Sequence, residues 1–197
     1  MHELLLGTRN PGKIAEIVHL LNDIDRLTLL TLAERPFDEV PETGETFLDN
    51  ALLKAGGIAS QTGLPVLAED AGLEVSALDG APGVRSARYA GLPVDYARNN
   101  ELLLDRLKGV ENRRARFVTV AVLQLPGGEV FVTTGTLLGR ITAEPAGSGG
   151  FGYDPLFVPD GSDRTLAELS MAEKGRISHR MQALRRMRPI LLDLIGD

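Results

Sequence analysis

The chain has 197 residues, of which 43% are hydrophobic and 24% charged, proportions typical of a globular protein. Its net charge of −6 disfavours nonspecific nucleic-acid binding, which requires a basic face. The lack of cysteine excludes disulfides and thiolate metal sites, and no apolar run approaches the roughly 18 residues of a membrane span. We expect one soluble, cytoplasmic domain over residues 1–197, binding neither nucleic acid nor membranes.

Short strands alternate with helices in the first part of the chain. Asn10 is a good N-cap and Pro11 suits a first helical turn, while Thr46 and Asp49 stand in capping-box positions. The predicted elements are strands at 3–8 and 27–32 and helices over 11–22 and about 46–61.

The rest of the chain predicts a mixed sheet. A strand over 64–75 is expected to be broken by a carboxylate-rich turn, so that Glu69 and Asp70 lie where its first half ends. The turn PGG is a strong hairpin signal, and we predict that it joins two long antiparallel strands. The first of these strands is apolar on both faces, which predicts a place at the centre of the sheet. The other predicted elements are a loop at 79–92, a helix over 93–108, a short strand within 153–160 and a helix over 178–195, capped by Ser178.

The spacing of Gly7, Gly12 and Lys13 matches the G-x-x-x-x-G-K pattern of a P-loop. Ile14, however, stands where a P-loop has the Ser or Thr that ligates magnesium. A strand leading into a helix N-terminus still offers backbone N–H groups, the helix dipole and a lysine to a phosphate. Either the match is an ordinary helix start, or this loop binds phosphate and a metal is held elsewhere.

Three acidic residues, Glu42, Glu69 and Asp70, could hold that metal. Magnesium prefers hard oxygen ligands, commonly one or two carboxylates with phosphate and water. Charge placed directly after an apolar strand favours a functional role for Glu69 and Asp70, since idle charge is costly beside a core. For Glu42 alone, an exposed turn is the simpler interpretation.

The chain contains 17 arginines but only four lysines, so each lysine is a candidate for a site that needs a compact charge. Lys108 lies at a solvent-facing helix end and shows that such a residue can be unremarkable. A glycine-rich stretch at 146–152 carries aromatic residues that could approach a flat base, although an ordinary turn explains it equally well. His179 follows Ser178 at a helix start, where the dipole favours a neutral imidazole.

Six ordered blocks covering nearly the whole chain resemble the inosine triphosphate pyrophosphatase family, which hydrolyses non-standard purine nucleoside triphosphates. They read TRNPGK, PETGETFLDNALLKA, LAEDAGL, GAPGVRSARYAG, GGFGYDPLF and AEKGRISHRMQAL. The resemblance implies an α/β fold in which an elongated mixed sheet and flanking helices form two lobes around a nucleotide cleft. It also implies a homodimer and Mg²⁺ as cofactor.

The resemblance assigns roles to individual residues. Asp70 is the implied general base, with Lys13 and Lys54 as its catalytic partners and Glu42, Glu69 and Asp70 as metal ligands. The implied triphosphate-binding residues are Thr8, Arg9, Asn10, Pro11, Gly12, Lys13 and Lys54. The implied base-binding residues are Phe151, Gly152, Tyr153, Asp154, Lys174, His179 and Arg180.

Two departures from the family pattern bear on this site. Ala71 stands where many bacterial members have a serine, so any substrate contact there uses the backbone. Pro41 replaces a second acid found in many members, which leaves Glu42 as the acid of its loop. The resemblance implies hydrolysis of dITP, XTP or ITP, and we expect cleavage between the α and β phosphates. The alternatives are a pyrophosphatase for other modified nucleotides and a non-catalytic nucleotide sensor.

Overall fold

The structure, a computed structural model, describes residues 2–196, which form a six-stranded sheet flanked by helices. The strands are β1 (His2–Leu6), β2 (Leu27–Leu30), β3 (Val66–Val75), β4 (Arg114–Gln124), β5 (Val130–Ile141) and β6 (Phe157–Pro159). The helices are α1 (Pro11–Leu21), α2 (Phe47–Thr62), α3 (Tyr96–Arg106), α4 (Met171–Ile177) and α5 (His179–Ile195). Short 3₁₀ helices span Ser76–Leu78, Gly83–Arg88, Asp154–Leu156 and Leu166–Glu168.

The sheet is mixed, as the sequence predicts, with strand order β2-β1-β3-β4-β5-β6. Strand β1 runs parallel to both β2 and β3, whereas β5 and β6 are antiparallel. The apolar strand β4 lies in the interior of the sheet, which confirms its predicted position. None of the helices in the described part of the chain is long and apolar enough to cross a membrane.

Backbone contacts divide the described residues into two compact units. The first comprises 2–70, 119–135 and 180–196, and the second comprises 71–118 and 136–179. In the first unit, apolar residues of α1 and α5 pack on β1, among them Ile17, Leu4 and Met187. In the second unit the rings of Phe117 and Phe157 lie 4.7 Å apart within the core.

Local capping signals correctly predict the starts of α1 and α2. The Asn10 side chain accepts hydrogen bonds from the N–H groups of Gly12 and Lys13 at 2.9 and 3.3 Å and begins α1. Thr46 and Asp49 form the predicted capping box of α2.

One prediction about elements was wrong, and one helix was not predicted. Strand β3 is continuous through Glu69 and Asp70, because partners in the surrounding helices satisfy both carboxylates and no turn is needed to expose them. Lys174 lies within α4, a seven-residue helix that precedes the predicted C-terminal helix. Ser170 and Glu173 form the capping box of α4, and Ser178 ends this helix in an extended conformation.

Candidate functional site

The loop between β1 and α1 carries the predicted phosphate-binding residues. Strand β1 ends at Leu6, which pairs with Leu67 of β3. Glu69 and Asp70 follow on β3 and therefore lie beyond the carboxyl end of β1. Ligands bind at such strand ends in α/β folds. Glu69 and Asp70 therefore lie at a ligand-binding edge, although β3 itself does not end there.

The backbone of this loop is largely engaged within the protein. The N–H groups of Gly12 and Lys13 donate to Asn10, and Thr8 accepts from the Asn10 N–H at 3.2 Å. Arg9 donates to the carbonyl of Phe37 at 2.8 Å. The features of the loop that would attract an anion are therefore the helix dipole and the Lys13 ammonium rather than free N–H groups of the first turn.

Glu69 lies at the centre of a buried ion-pair cluster. Its carboxylate accepts two bonds from Arg180 Nε, at 2.7 and 3.0 Å, and its Oε1 lies 3.2 Å from Lys13 Nζ. Arg180 also pairs with Glu16 of α1. Burial alone would raise the pKa of Glu69, but the charges of Arg180 and Lys13 outweigh burial and lower that pKa to about 2.

For Lys13, burial outweighs the neighbouring Glu69 charge, and its pKa is lowered. Burial lowers the pKa of its ammonium, the charges of Arg180 and Lys54 lower it further, and Glu69 only partly compensates. The Lys13 side chain still keeps 15% of its surface exposed. An additional negative charge beside Lys13 would stabilise its protonated form, which is what a phosphate would supply.

Helix α2 holds the other two acidic residues through side chains one turn apart. Asn50 Nδ2 donates to Asp70 Oδ2 at 3.2 Å, and Lys54 Nζ pairs with Glu42 at 2.9 Å. Lys54 also donates to the backbone carbonyl of Glu69 at 2.9 Å. Burial raises the pKa of Asp70 and the Glu42 charge adds to this effect, against the charges of Lys54 and Lys13. Asp70 is therefore a more basic carboxylate than an exposed aspartate.

The donor set fits a magnesium ion in part. Within residues 2–196, no group of three or more His, Cys, Asp or Glu side chains is placed to hold a metal. Asp70 and Glu42 could supply the one or two carboxylates that Mg²⁺ commonly takes from protein, the remainder coming from phosphate and water. The Glu69 carboxylate already pairs with two cations, Arg180 and Lys13, and a metal ion placed beside them would be repelled.

The second unit contains a compact charged cluster around the glycine-rich loop. Lys174 Nζ pairs with Asp154 Oδ2 at 2.7 Å, and the same oxygen accepts from Phe151 N at 2.9 Å. Lys174 Nζ also lies 5.0 Å from the centre of the Phe151 ring. Gly150 has a left-handed φ of 71°, and a Cβ there would collide with the Asp154 carboxylate, so this loop requires glycine.

Two predicted base-binding residues of the second unit are packed into its core. The Tyr153 hydroxyl donates to the Ser86 carbonyl at 2.9 Å, and burial raises the pKa of this phenol. The His179 ring stacks on Phe117, with ring centres 4.7 Å apart and planes within 7°. Gly152 presents its carbonyl to Asn100 Nδ2 at 3.1 Å. Ala71 continues β3 directly after Asp70.

Sequence reasoning assigned no role to three polar residues that support these clusters, namely Glu16, Asn50 and Asn100. The available signal was helical spacing. Asn50 stands four residues before Lys54 and thus on the same face of α2. Glu16 stands three residues after Lys13 on α1, but nothing local indicates its partner, Arg180.

Comparison with known proteins identifies the family of the chain. The chain matches the model of the Ham1 family over residues 4–190. A dITP/XTP pyrophosphatase of Nocardia farcinica is 49% identical over 199 residues, covering 98% of this chain and 97% of the relative. One from Mycobacterium tuberculosis is 50% identical over 197 residues, covering 98% and 96%.

A solved structure has the same fold. The HAM1 protein of Coxiella burnetii superposes with a TM-score of 0.90 at 40% identity, covering 98% of this chain and all of that one. The resemblance inferred from the ordered sequence blocks is thereby confirmed. The chain belongs to the Ham1 family.

Proposed function

We propose that this protein hydrolyses the non-standard purine nucleoside triphosphates dITP, XTP and ITP to the monophosphate and pyrophosphate. The observation that carries the proposal is the buried Asp70 carboxylate, made more basic by burial and lying within the fields of Lys54 and Lys13. The relatives named dITP/XTP pyrophosphatase, nearly half identical over almost the full chain, support the same substrate class.

Asp70 is the proposed general base. A raised pKa makes a carboxylate a better proton acceptor, and Asp70 would take the proton of the water that attacks the α-phosphorus. The bond between the α-phosphorus and the oxygen that bridges to the β-phosphate then breaks, and the β- and γ-phosphates leave together as pyrophosphate. Lys13 and Lys54 would bind the triphosphate and neutralise the charge that develops on its oxygens.

Asp70 and Glu42 are the residues that would hold Mg²⁺. The bound ion would supply charge neutralisation and orientation of the triphosphate. Glu69 has a supporting role in this proposal, because its carboxylate holds Lys13 from one side and Arg180 from the other.

The second unit is proposed to recognise the base. Phe151 offers a ring face, and Lys174 offers a cation that can donate to a 6-oxo group. Adenine carries a 6-amino group at this position, which would leave a buried donor unpaired at a cost of about 1–3 kcal/mol. Asp154 keeps the Lys174 ammonium in place.

The test is pyrophosphate release from dITP, XTP, ITP, GTP, ATP and TTP with magnesium. We expect release from the first three and little from ATP, which lacks a 6-oxo group, and TTP. GTP shares the 6-oxo group, so its release measures whether the site also distinguishes the 2-position of the base. Asp70→Asn should lower kcat by about 100-fold or more, as expected for loss of a general base. Asp105→Asn, which alters an exposed acid, is the matched control.

Each alternative has its own outcome in this assay. Orthophosphate in place of pyrophosphate would contradict cleavage between the α and β phosphates. Faster turnover of TTP than of dITP would favour a pyrophosphatase for other nucleotides. Tight dITP binding without any release would favour a nucleotide sensor. The implied homodimer stays a prediction, to be tested by light scattering of the purified protein.

A further inference from the structure

Asn50 is a buried amide that links two acidic segments of the first unit. It lies in the first turn of α2 and is fully buried, at 0% exposure. Its Oδ1 accepts from Gly44 N at 2.8 Å, and its Nδ2 donates to Asp70 Oδ2 at 3.2 Å. One side chain therefore joins the loop that carries Glu42 to strand β3.

The loop side of this link is tightly packed. A Cβ on Gly44 would lie 2.5 Å from Asp49 Cβ and 2.9 Å from Asn50 Oδ1, so only glycine lets the loop approach the helix this closely. Glu42 is two residues before this contact. Lys54, one turn further along α2, fastens the Glu42 carboxylate itself at 2.9 Å.

On the strand side, Asn50 constrains the plane of a carboxylate. The last torsion of an aspartate side chain is broad, so packing alone leaves the plane poorly defined. A donor on Oδ2 of Asp70 defines it. The amide itself has only one workable orientation, because turning it over would set Oδ1 against the Asp70 carboxylate and the NH₂ group against Gly44 N–H.

We infer that Asn50 is a positioning residue of the hydrolytic site, whose single amide sets both the Asp70 carboxylate plane and the position of the Glu42 loop. This inference rests on the proposed function, since Asp70 and Glu42 are its proposed metal-holding residues. Asn50 acts through these acids rather than on the substrate. Its loss should therefore affect kcat and metal affinity more than the KM for dITP.

The test compares Asn50→Ala and Asn50→Ser with Asn99→Ala. Asn99 is a matched control in the second unit, 1% exposed, with Oδ1 accepting from Ala90 N at 2.7 Å and Nδ2 donating to Ala87 O at 2.9 Å. The serine variant is included because serine leaves a smaller cavity than alanine and keeps a hydroxyl that can hydrogen-bond. It therefore provides a folded protein if the alanine variant does not fold. The measurements are kcat and KM for dITP, melting temperature, and Mn²⁺ binding followed by electron paramagnetic resonance with non-hydrolysable α,β-imido-dITP.

We expect the Asn50 variants to lose about 10–100-fold in kcat and to bind Mn²⁺ about tenfold or more weakly, the usual effect of removing a residue that orients a metal ligand. The KM should stay within about threefold, because no substrate contact is lost. Asn99→Ala should lower the melting temperature comparably and leave kcat and Mn²⁺ binding nearly unchanged.

Wild-type values of kcat and Mn²⁺ affinity in a folded Asn50 variant would overturn the inference. Equal losses in Asn99→Ala would also overturn it, since the effect would then be general destabilisation. A wild-type protein that releases no pyrophosphate would refute the proposed function instead. The Mn²⁺ titration would in that case still decide whether Asn50 positions the acidic residues.

Discussion

Replacing Glu69 by glutamine should destabilise the protein by an amount that depends on pH. The carboxylate is 2% exposed and contacts Arg180 and Lys13. The ordinary pKa of 4.5 falls to about 2 in the fold, roughly a 300-fold change in the ionisation constant. At about 1.4 kcal/mol per tenfold change, the ionised Glu69 contributes about 3 kcal/mol at neutral pH.

The pH window follows from the direction of this shift. A carboxyl whose pKa is depressed by folding stabilises the protein at pH values above its unfolded pKa, and this contribution is lost as pH falls through its folded pKa. For Glu69 the contribution is complete above about pH 5 and falls to roughly 1 kcal/mol near pH 3. Glutamine lacks the charge at every pH, so the two proteins should converge in acid.

Urea unfolding at pH 7, 4 and 3 measures this difference. We expect Glu69→Gln to unfold with about 3 kcal/mol less free energy at pH 7, in line with the 3–5 kcal/mol typical of removing one partner of a buried ion pair. Asp105→Asn is the control, since it removes a 2.7 Å pair with Lys108 that is exposed. It should change stability far less. A Glu69→Gln deficit that is the same at pH 7 and pH 3 would refute the reasoning.

Four further substitutions test the proposed site. Lys13→Met should raise the KM for dITP about tenfold or more, because a phosphate-binding charge is lost. Ile14→Val should leave the KM unchanged and lower the free energy of unfolding in urea by about 0.5–1 kcal/mol. Asp154→Asn leaves Lys174 buried without its counter-charge and should lower kcat/KM for dITP about tenfold; wild-type kcat/KM would argue against base recognition there. Tyr153→Phe removes a hydroxyl that donates to a backbone carbonyl, so it should cost about 1 kcal/mol of stability with kcat/KM unchanged. A lower kcat/KM with unchanged stability would instead make Tyr153 a substrate-binding residue.

The features predictable from sequence are those encoded by neighbouring residues. Asn10 caps α1 through N–H groups two and three residues away, and the same kind of local signal marks the start of α2 and the β4–β5 hairpin. Helix α4 carried an equivalent signal, since Ser170 and Glu173 have capping-box spacing. It was missed because seven residues are too few to show an apolar period.

The partners of the charged residues could not be predicted in this way. Arg180 and Glu69 are 111 residues apart, and no local pattern joins them. The resemblance placed Arg180 among base-binding residues, whereas its guanidinium in this structure holds Glu69 and Glu16. Which acid a buried arginine selects depends on how α1 and α5 pack against β3, and packing is a tertiary property.

The different environments of Glu69 and Asp70 follow from the geometry of the strand that carries them. Successive side chains of a strand point to opposite faces of the sheet. Glu69 shares its face with Leu67, which packs among residues of α1 and α5. Asp70 shares its face with Ala68, which lies near Ile58 of α2 beside Gly7.

A turn at these positions, as the sequence suggested, would have allowed both carboxylates to reach one metal ion. A continuous strand separates them, so that one acid faces Arg180 and Lys13 while the other faces Asn50. This separation lets adjacent carboxyls differ in pKa, the Glu69 value lowered and the Asp70 value raised. Two acids with opposite shifts are suited to different tasks, a permanent counter-charge and a proton acceptor. The continuity of β3 thus gives two neighbouring carboxyls different partners and opposite pKa shifts.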